Sequence, residues 1–389
     1  MKIVVSGYVG KKITGIGRNL ICLLDNVSSD NKYIIYTNED MKDDFKFNNP
    51  NVTIKTYKVS KTDSLGNLLW TTFVFPFVVL KEKADKALIP NFTLLLLKFR
   101  PTIVIMHDLI EFNVPNKFSK KKMFYRTKLA DPITAKRANH IITVSENSKC
   151  DIIKFLKVPE KKLTVIYNGV DQNKFCKMNS EKAEAILEKK GWPQDFLLYA
   201  GTIDHPGKNA MSVIKAFVKL KDENKYSGSL ILAGMPGSGY DIVEDYVKKS
   251  SWSKDIIFTG FVTDEELIAL YSKCKVFCFL SIYEGFGIPP LEALACGANV
   301  VVSNSSSLPE VVGSVGITVD PLNIDAVAHS VVESMENNNK SHDEDIKSHL
   351  NKYDWKNLSS DFEKVFDMEE KKQEVRPSKP ESESFNEQS

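Results

Sequence analysis

The sequence predicts an α/β protein of two domains, each built on a parallel sheet, and three features point there. Short β-rich runs alternate with helical patterns, at 3–6, 33–37, 102–107, 140–145 and 163–167, then at 196–200, 230–233, 256–259, 276–280, 300–303 and 317–319. Such alternation builds βαβ units around a parallel sheet. The runs are near-continuously apolar, as strands covered on both faces must be. A chain of 389 residues, 42% of them hydrophobic, is also long enough to bury two cores.

Polar residues 171–193 include a Lys/Glu-rich helical stretch, 180–190, that ends at Gly191 and Trp192-Pro193, and the interdomain linker is expected there. From about Met368 the chain is rich in Glu, Lys, Ser and Pro and is expected to be disordered. The most apolar stretch, 68–80, contains Pro76 and falls short of the ~20 residues that span a bilayer, so it reads as a buried helix. The N-terminal apolar run is broken at Gly7 and is too short for a signal-peptide core, which predicts a cytoplasmic protein.

Lys and Arg number 52 against 50 Asp and Glu, a formal net charge of +2. Nucleic-acid-binding domains usually carry a clear basic excess, so no nucleic-acid partner is expected. Cys22, Cys150, Cys176, Cys274, Cys278 and Cys296 are scattered without a CxxC pair, which reads as thiols in a reducing compartment and as no metal site.

Four segments carry chemistry. Glu284-Gly285-Phe286-Gly287-Ile288 follows the apolar strand at 276–280, and Pro289-Pro290 open a helix that carries Glu292 and that Gly297 closes. A helix start of this kind aims N–H groups at an anion such as a diphosphate, and the two carboxylates can accept hydrogen bonds from its hydroxyls. Gly201-Thr202 leaves the strand at 196–200, and Lys208-Asn209 enters the next helix, where a cation is unfavourable by dipole and so serves something outside the helix. Gly15-Ile16-Gly17-Arg18 occupies a first βα turn, but Leu20 stands where a dinucleotide fingerprint needs its third glycine. His107-Asp108 ends the strand at 102–107, at the carboxyl edge where α/β sheets collect ligands.

Together these segments resemble the retaining glycosyltransferases of family 4, over roughly residues 1–367. The resemblance rests on Glu284 and Glu292, Gly201 with Lys208-Asn209, Asn168-Gly169-Val170-Asp171, Gly15-Ile16-Gly17-Arg18 and His107-Asp108, with Gly260-Phe261-Val262 and Leu308-Pro309-Glu310-Val311 in support. It implies the GT-B fold, two Rossmann-like domains facing a central cleft: residues 1–172 on the acceptor side, a linker at 173–193, the nucleotide-sugar domain at 194–350, a helix at 351–367 returning to the first domain, and a disordered tail at 368–389. It implies that His107, Lys208 and Glu284 are catalytic. Gly15, Gly17, Arg18, Asp108, Gly201, Thr202, Asn209, Val262, Gly285, Phe286, Gly287, Ile288 and Glu292 would bind the donor. Within that set Glu292 would take the ribose, Glu284 the sugar hydroxyls and Lys208 the leaving diphosphate.

The expected co-substrate is a nucleotide diphosphate sugar, GDP-mannose slightly favoured over a UDP-sugar, with no metal and no other cofactor. One departure stands out: the family commonly presents a second basic residue, often an arginine just before the lysine, and this chain has Gly207 there. Arg18 is the substitute that the sequence offers. Lys117, Lys120, Lys121, Lys122, Arg126, Lys128, Lys136 and Arg137 interleave with Phe118, Met123, Phe124, Tyr125 and Leu129, a pattern that fits either a solvated helix face or a peripheral contact with an anionic membrane beside a glycan or lipid-linked acceptor. An epimerase or phosphorylase on the same fold, and a non-catalytic nucleotide-sugar-binding subunit, are the alternatives. Nothing in the sequence sets an oligomeric state.

Overall fold

The computed structural model describes residues 1–7, 15–57, 64–91, 93–114, 117–336 and 342–374. The first sheet comprises β1 (Lys2–Ser6), β2 (Lys32–Asn38), β3 (Val52–Tyr57), β4 (Lys86–Ile89), β5 (Thr102–Met106), β6 (His140–Thr143) and β7 (Leu163–Val165), in the order β3-β2-β1-β4-β5-β6-β7. The second comprises β8 (Phe196–Ala200), β9 (Ser229–Ala233), β10 (Ile256–Gly260), β11 (Phe277–Phe279), β12 (Val300–Ser303) and β13 (Ile317–Val319), in the order β10-β9-β8-β11-β12-β13. Every paired strand is parallel. Both orders reverse direction once, beside β1 and beside β8, and ligands collect at the carboxyl ends of strands near such a reversal.

Central strands are buried throughout, Thr102–Met106 and Phe196–Ala200 at every position, because helices cover both faces of each sheet. β3 and β4 are absent from the expected pattern. β3 is a half-exposed edge, and β4 is four residues long and opens on a lysine. Lys86 is nonetheless buried, its ammonium donating to the Phe366 carbonyl.

That carbonyl belongs to the C-terminal helix Trp355–Glu374, which crosses back onto the first domain. Phe362 and Phe366 pack on Tyr33, with ring centroids 6.5 and 6.2 Å away. Glu363 accepts from the N–H groups of Ser28 and Ser29, and Ser359 Oγ donates to the Leu23 carbonyl at 2.9 Å. The helix runs to Glu374, so residues 368–374, expected to be disordered, are helical, while 375–389 lie outside the described residues.

Two further expectations need correction. The helix Ser180–Lys189, assigned to the linker for its charge, belongs to the second domain: it buries Ala183 and Leu187, and Lys182, Glu184 and Lys190 pair with Glu265, Lys273 and Glu266. Its polar face is an ordinary solvent face of an amphipathic helix. Residues 64–81 are helical, with a π-helical turn at Trp70–Val74, but they bury only one side. Trp70, Phe75, Val78 and Val79 point inward, whereas Leu69, Phe73, Phe77 and Leu80 are exposed. No described helix is long and apolar enough to cross a membrane.

Candidate functional site

The site forms where the carboxyl ends of the two sheets meet. β11 ends at Phe279, and the loop behind it leads into the helix Ile288–Ala295, with prolines in its first turn and Gly297 at φ 80° just past its end. The loop is held by the serines at and just after the end of β12: Ser303 Oγ donates to the Ser281 carbonyl at 2.6 Å, Ser305 Oγ to Ile282 at 3.0 Å, and Ser307 Oγ to Phe286 at 2.6 Å, while Ser306 Oγ accepts from the Glu284 N–H at 3.0 Å. Sequence reasoning missed this cradle. Its only signal was the density of hydroxyls in Ser303-Asn304-Ser305-Ser306-Ser307.

The cradle fixes Glu284 so that its Oε1 accepts from Lys208 Nζ at 2.6 Å, bringing together two residues 76 positions apart. Lys208 stands just before the helix Ala210–Asp222, where the Asp204 carboxylate accepts its backbone N–H. Asn209, at φ 54°, donates its amide to the carbonyls of Leu280 and Pro321 at 3.0 and 3.3 Å. It therefore holds the helix start in place, with both of its side-chain N–H donors engaged.

Gly285 brings the two domains into contact. A Cβ there would sit 2.6 Å from the His107 carbonyl oxygen and 2.9 Å from the Asp108 Cβ. The Gly285 carbonyl accepts from Ser145 Oγ at 2.7 Å and Ser148 Oγ at 3.3 Å, both at the start of the helix Glu146–Leu156. Glu310 closes the same seam, accepting from the N–H groups of Glu146 and Asn147 at 2.9 and 3.1 Å, and Tyr283 donates to Asp151 at 2.7 Å. Phe286 turns its ring into a cluster with Tyr167 and Tyr353, so its side chain is core. Gly287, at φ 107°, adopts a backbone that glycine tolerates and caps the helix without a side-chain acceptor; because Pro289 and Pro290 lack an N–H, Ile288 is the one residue of the helix before Leu291 that carries a backbone donor.

His107 is buried, and its Nε2–H donates to the Pro90 carbonyl at 3.0 Å. Burial lowers its imidazole to about 4, so it is neutral at physiological pH. Burial also raises Asp108, which carries the nearby charges of Glu111 and Glu284 as well. Glu292 is pushed up to about 7, chiefly by burial and also by Asp264, with Arg18, Lys174 and the Tyr271 hydroxyl opposing. Arg18 thus lies across the cleft from Glu292. Gly17 is buried, Gly15 and Arg18 are exposed, and residues 8–14 before them are outside the described set. Thr202 is exposed, Gly201 donates its N–H to Ala233 at 2.9 Å, and Val262 and Ile288 are half-buried beside the cleft core. Phe261 is 75% exposed.

The cation missing at position 207 has a counterpart on the other domain. A Cβ on Gly207 would lie 2.7 Å from Lys117 Nζ, which pairs with Asp204 Oδ2 at 3.3 Å. Lys117, grouped with the basic surface run by sequence, instead reaches into the cleft. Arg126 also turns inward, its Nε 3.2 Å from Glu111.

Two parallel α/β domains that face each other across a cleft make up the GT-B fold. The family model described as Glycosyltransferase Family 4 matches residues 33–174, and that described as Glycosyl transferases group 1 matches 182–353. Both halves of the chain thus match glycosyltransferase family models. It is 32% identical to the O-antigen chain mannosyltransferase B of Escherichia coli over 235 residues, 60% of this chain and 61% of that protein. It is 28% identical to the O-antigen chain mannosyltransferase RfbU of Salmonella typhimurium over 70% of this chain and 71% of that one. A serotype-specific mannosyltransferase WbdA of Escherichia coli is matched over only 26% of its length. Among solved structures, Anabaena HepE in complex with UDP and glucose superposes with a TM-score of 0.72 over 95% of this chain and all of that one, at 18% identity. WaaG, a glycosyltransferase involved in lipopolysaccharide biosynthesis, superposes at 0.68 over 94% of this chain and 99% of that one, at 14% identity.

The contact at Gly285 generates a test. Gly285→Ala places a methyl against backbone atoms that cannot rotate away, so it should destabilise the docked domains by about 1–3 kcal/mol, read as a lowered Tm.

Proposed function

We propose that the chain is a retaining hexosyltransferase that moves mannose from GDP-mannose, in preference to a sugar from a UDP-sugar, to a glycan or lipid-linked acceptor in polysaccharide assembly. The observation that carries this reading is the Lys208–Glu284 pair, 2.6 Å apart between two helix starts. Relatives named O-antigen mannosyltransferases support mannose as the sugar.

In this reading Glu292 accepts from the ribose hydroxyls, and Glu284 accepts from a hydroxyl of the sugar while aligning Lys208. The diphosphate lies against the N–H groups at 287–288 and is neutralised by Lys208 and Lys117, the latter standing in for the absent basic side chain at 207. The acceptor oxygen bonds to C1 as the C1–O bond to the diphosphate breaks on the same face, and the hydroxyl proton passes to the departing diphosphate oxygen. Glycoside and nucleoside diphosphate result. His107, neutral and with its Nε2–H committed to Pro90, shapes the sugar site and supplies no proton. The step is driven by positioning and by charge stabilisation, and it needs no metal ion.

We also propose peripheral contact with an anionic membrane. The exposed Leu69, Phe73, Phe77 and Leu80 on one helix, and Phe124 and Leu129 with Lys120, Lys121 and Lys128 on the next, pair apolar side chains with positive charge.

A panel of GDP- and UDP-sugars, with free nucleotide followed with and without acceptor, identifies the donor. Lys208→Ala and Glu292→Ala should retain their Tm yet transfer at least ~100-fold more slowly; near wild-type turnover in either overturns the assignment. Ribose hydroxyls donate best to an ionised carboxylate, so a Glu292 that ionises near 7 in the free protein makes GDP bind more tightly as pH rises. The part of the GDP affinity that Glu292→Gln abolishes should be about tenfold greater at pH 8 than at pH 6, by titration calorimetry. Anionic liposomes should float the protein, and Phe73→Glu with Phe77→Glu should abolish flotation; no flotation of the wild type at low salt removes the membrane contact.

A further inference from the structure

The helix Glu146–Leu156 fastens parts of both domains along one side. Its cap Ser145, then Ser148 and Asp151 at three-residue steps, all turn toward the seam. The Ser148 hydroxyl is shared between the His107 and Gly285 carbonyls, at 3.1 and 3.3 Å. Asp151 Oδ2 accepts from Asn113 Nδ2 and from the Tyr283 hydroxyl, each at 2.7 Å. Segment 107–113 of the first domain and segment 283–285 of the second are therefore tied to one helix.

Tyr283 is the side chain that spans the join. It is 9% exposed, and its hydroxyl has two partners, both in the first domain: it donates to Asp151, and the Leu109 N–H is directed at its oxygen. Burial, together with the Asp151 carboxylate, raises the phenol above its ordinary range, so it stays a donor at neutral pH. A phenylalanine would fill the same space, so what the oxygen adds is its hold on the other domain. Asn113 completes the arrangement, its amide donating also to the Leu109 carbonyl at 3.1 Å and so closing the turn after His107-Asp108.

The consequence is geometric. Glu284, which carries the bond to Lys208, is one peptide unit from Tyr283, and Asp108 is one peptide unit from Leu109. A tether between Tyr283 and the turn at 109–113 thus sets the carboxylate of the second domain against His107 and Asp108 of the first. A displacement of about 1 Å between reacting groups can cost on the order of 100-fold in rate. The donor is gripped chiefly by the second domain, so a slip of this register acts on turnover rather than on donor affinity.

We propose that Tyr283 is a positioning residue for the transfer step, its hydroxyl registering Glu284 and Lys208 against His107 and Asp108 through Asp151 and the turn at 109–113. The assignment rests on the transferase reading above, and it adds to that reading a residue that acts through others.

The test compares Tyr283→Phe and Asp151→Asn with the wild type in the full chain. Turnover is followed as GDP released from GDP-mannose with octyl α-mannoside as acceptor, GDP affinity by titration calorimetry, and the turn by amide hydrogen exchange. Tyr283→Phe should lower kcat at least ~10-fold and leave KM for GDP-mannose and Kd for GDP within about twofold. Exchange at 109–114 should quicken at least ~10-fold, while the strand at 102–106 exchanges as before. Asp151→Asn should behave alike, and the double variant should be no slower than the slower single one, because both changes cut one link. Tyr283→Phe, nearly isosteric, keeps the test open should Asp151→Asn fold poorly. A Tyr283→Phe variant with wild-type kcat, or one that loses kcat and GDP affinity in equal measure, overturns the positioning role. Wild-type protein that neither binds nor releases GDP overturns the transferase reading instead. Where no turnover is seen, exchange decides the tether by itself: quickened exchange at 109–114 sustains it and unchanged exchange overturns it.

Discussion

The seam at Gly285 is the constraint on which the rest of the site depends. Two sheets that present their carboxyl ends to each other form a cleft only if something sets their separation, and here a backbone carbonyl does so, held by two serine hydroxyls of the opposite domain. Because the contact is made by backbone on both sides, it allows no side chain at that position. The Glu310 carboxylate on the N–H groups of the next helix adds a helix-start interaction of the kind usually worth a fraction of a kcal/mol to about 2 kcal/mol. Glu284, adjacent to Gly285, is placed by the same loop and brought to Lys208.

Charge in the cleft follows from that placement. Lys208 and Glu284 neutralise each other, Lys117 is matched by Asp204, and the burial of Glu292 is only partly offset by the charges of Arg18 and Lys174. An anionic ligand has two ammonium groups to draw on, both already oriented by carboxylates, so little reorganisation is needed when charge develops. The glycine at 207 leaves the space that the Lys117 ammonium of the other domain fills.

The first domain divides its basic residues between two uses. Lys117 and Arg126 point inward to carboxylates, while Lys120, Lys121 and Lys128 remain on the surface beside exposed phenylalanine and leucine side chains.

Much was legible from sequence because it is local. Apolar runs between helical patterns named eleven of the thirteen strands, and the prolines and glycines around 284–297 announced a loop and a helix start, since turn and cap chemistry acts within a few residues. What stayed hidden is what distant residues do to one another. β4 was illegible because Lys86 looks like a surface residue until a carbonyl 280 positions later takes its ammonium, and the helix 180–189 looked like a linker until its pairing with 264–273 was seen. That the Asn209 amide spans the carbonyls of Leu280 and Pro321 is equally invisible in the order of residues. The sequence by itself determined the architecture and the cast of charged residues, whereas only the tertiary structure decided which of them face each other, because ion pairing and desolvation depend on distances that the order of residues does not contain.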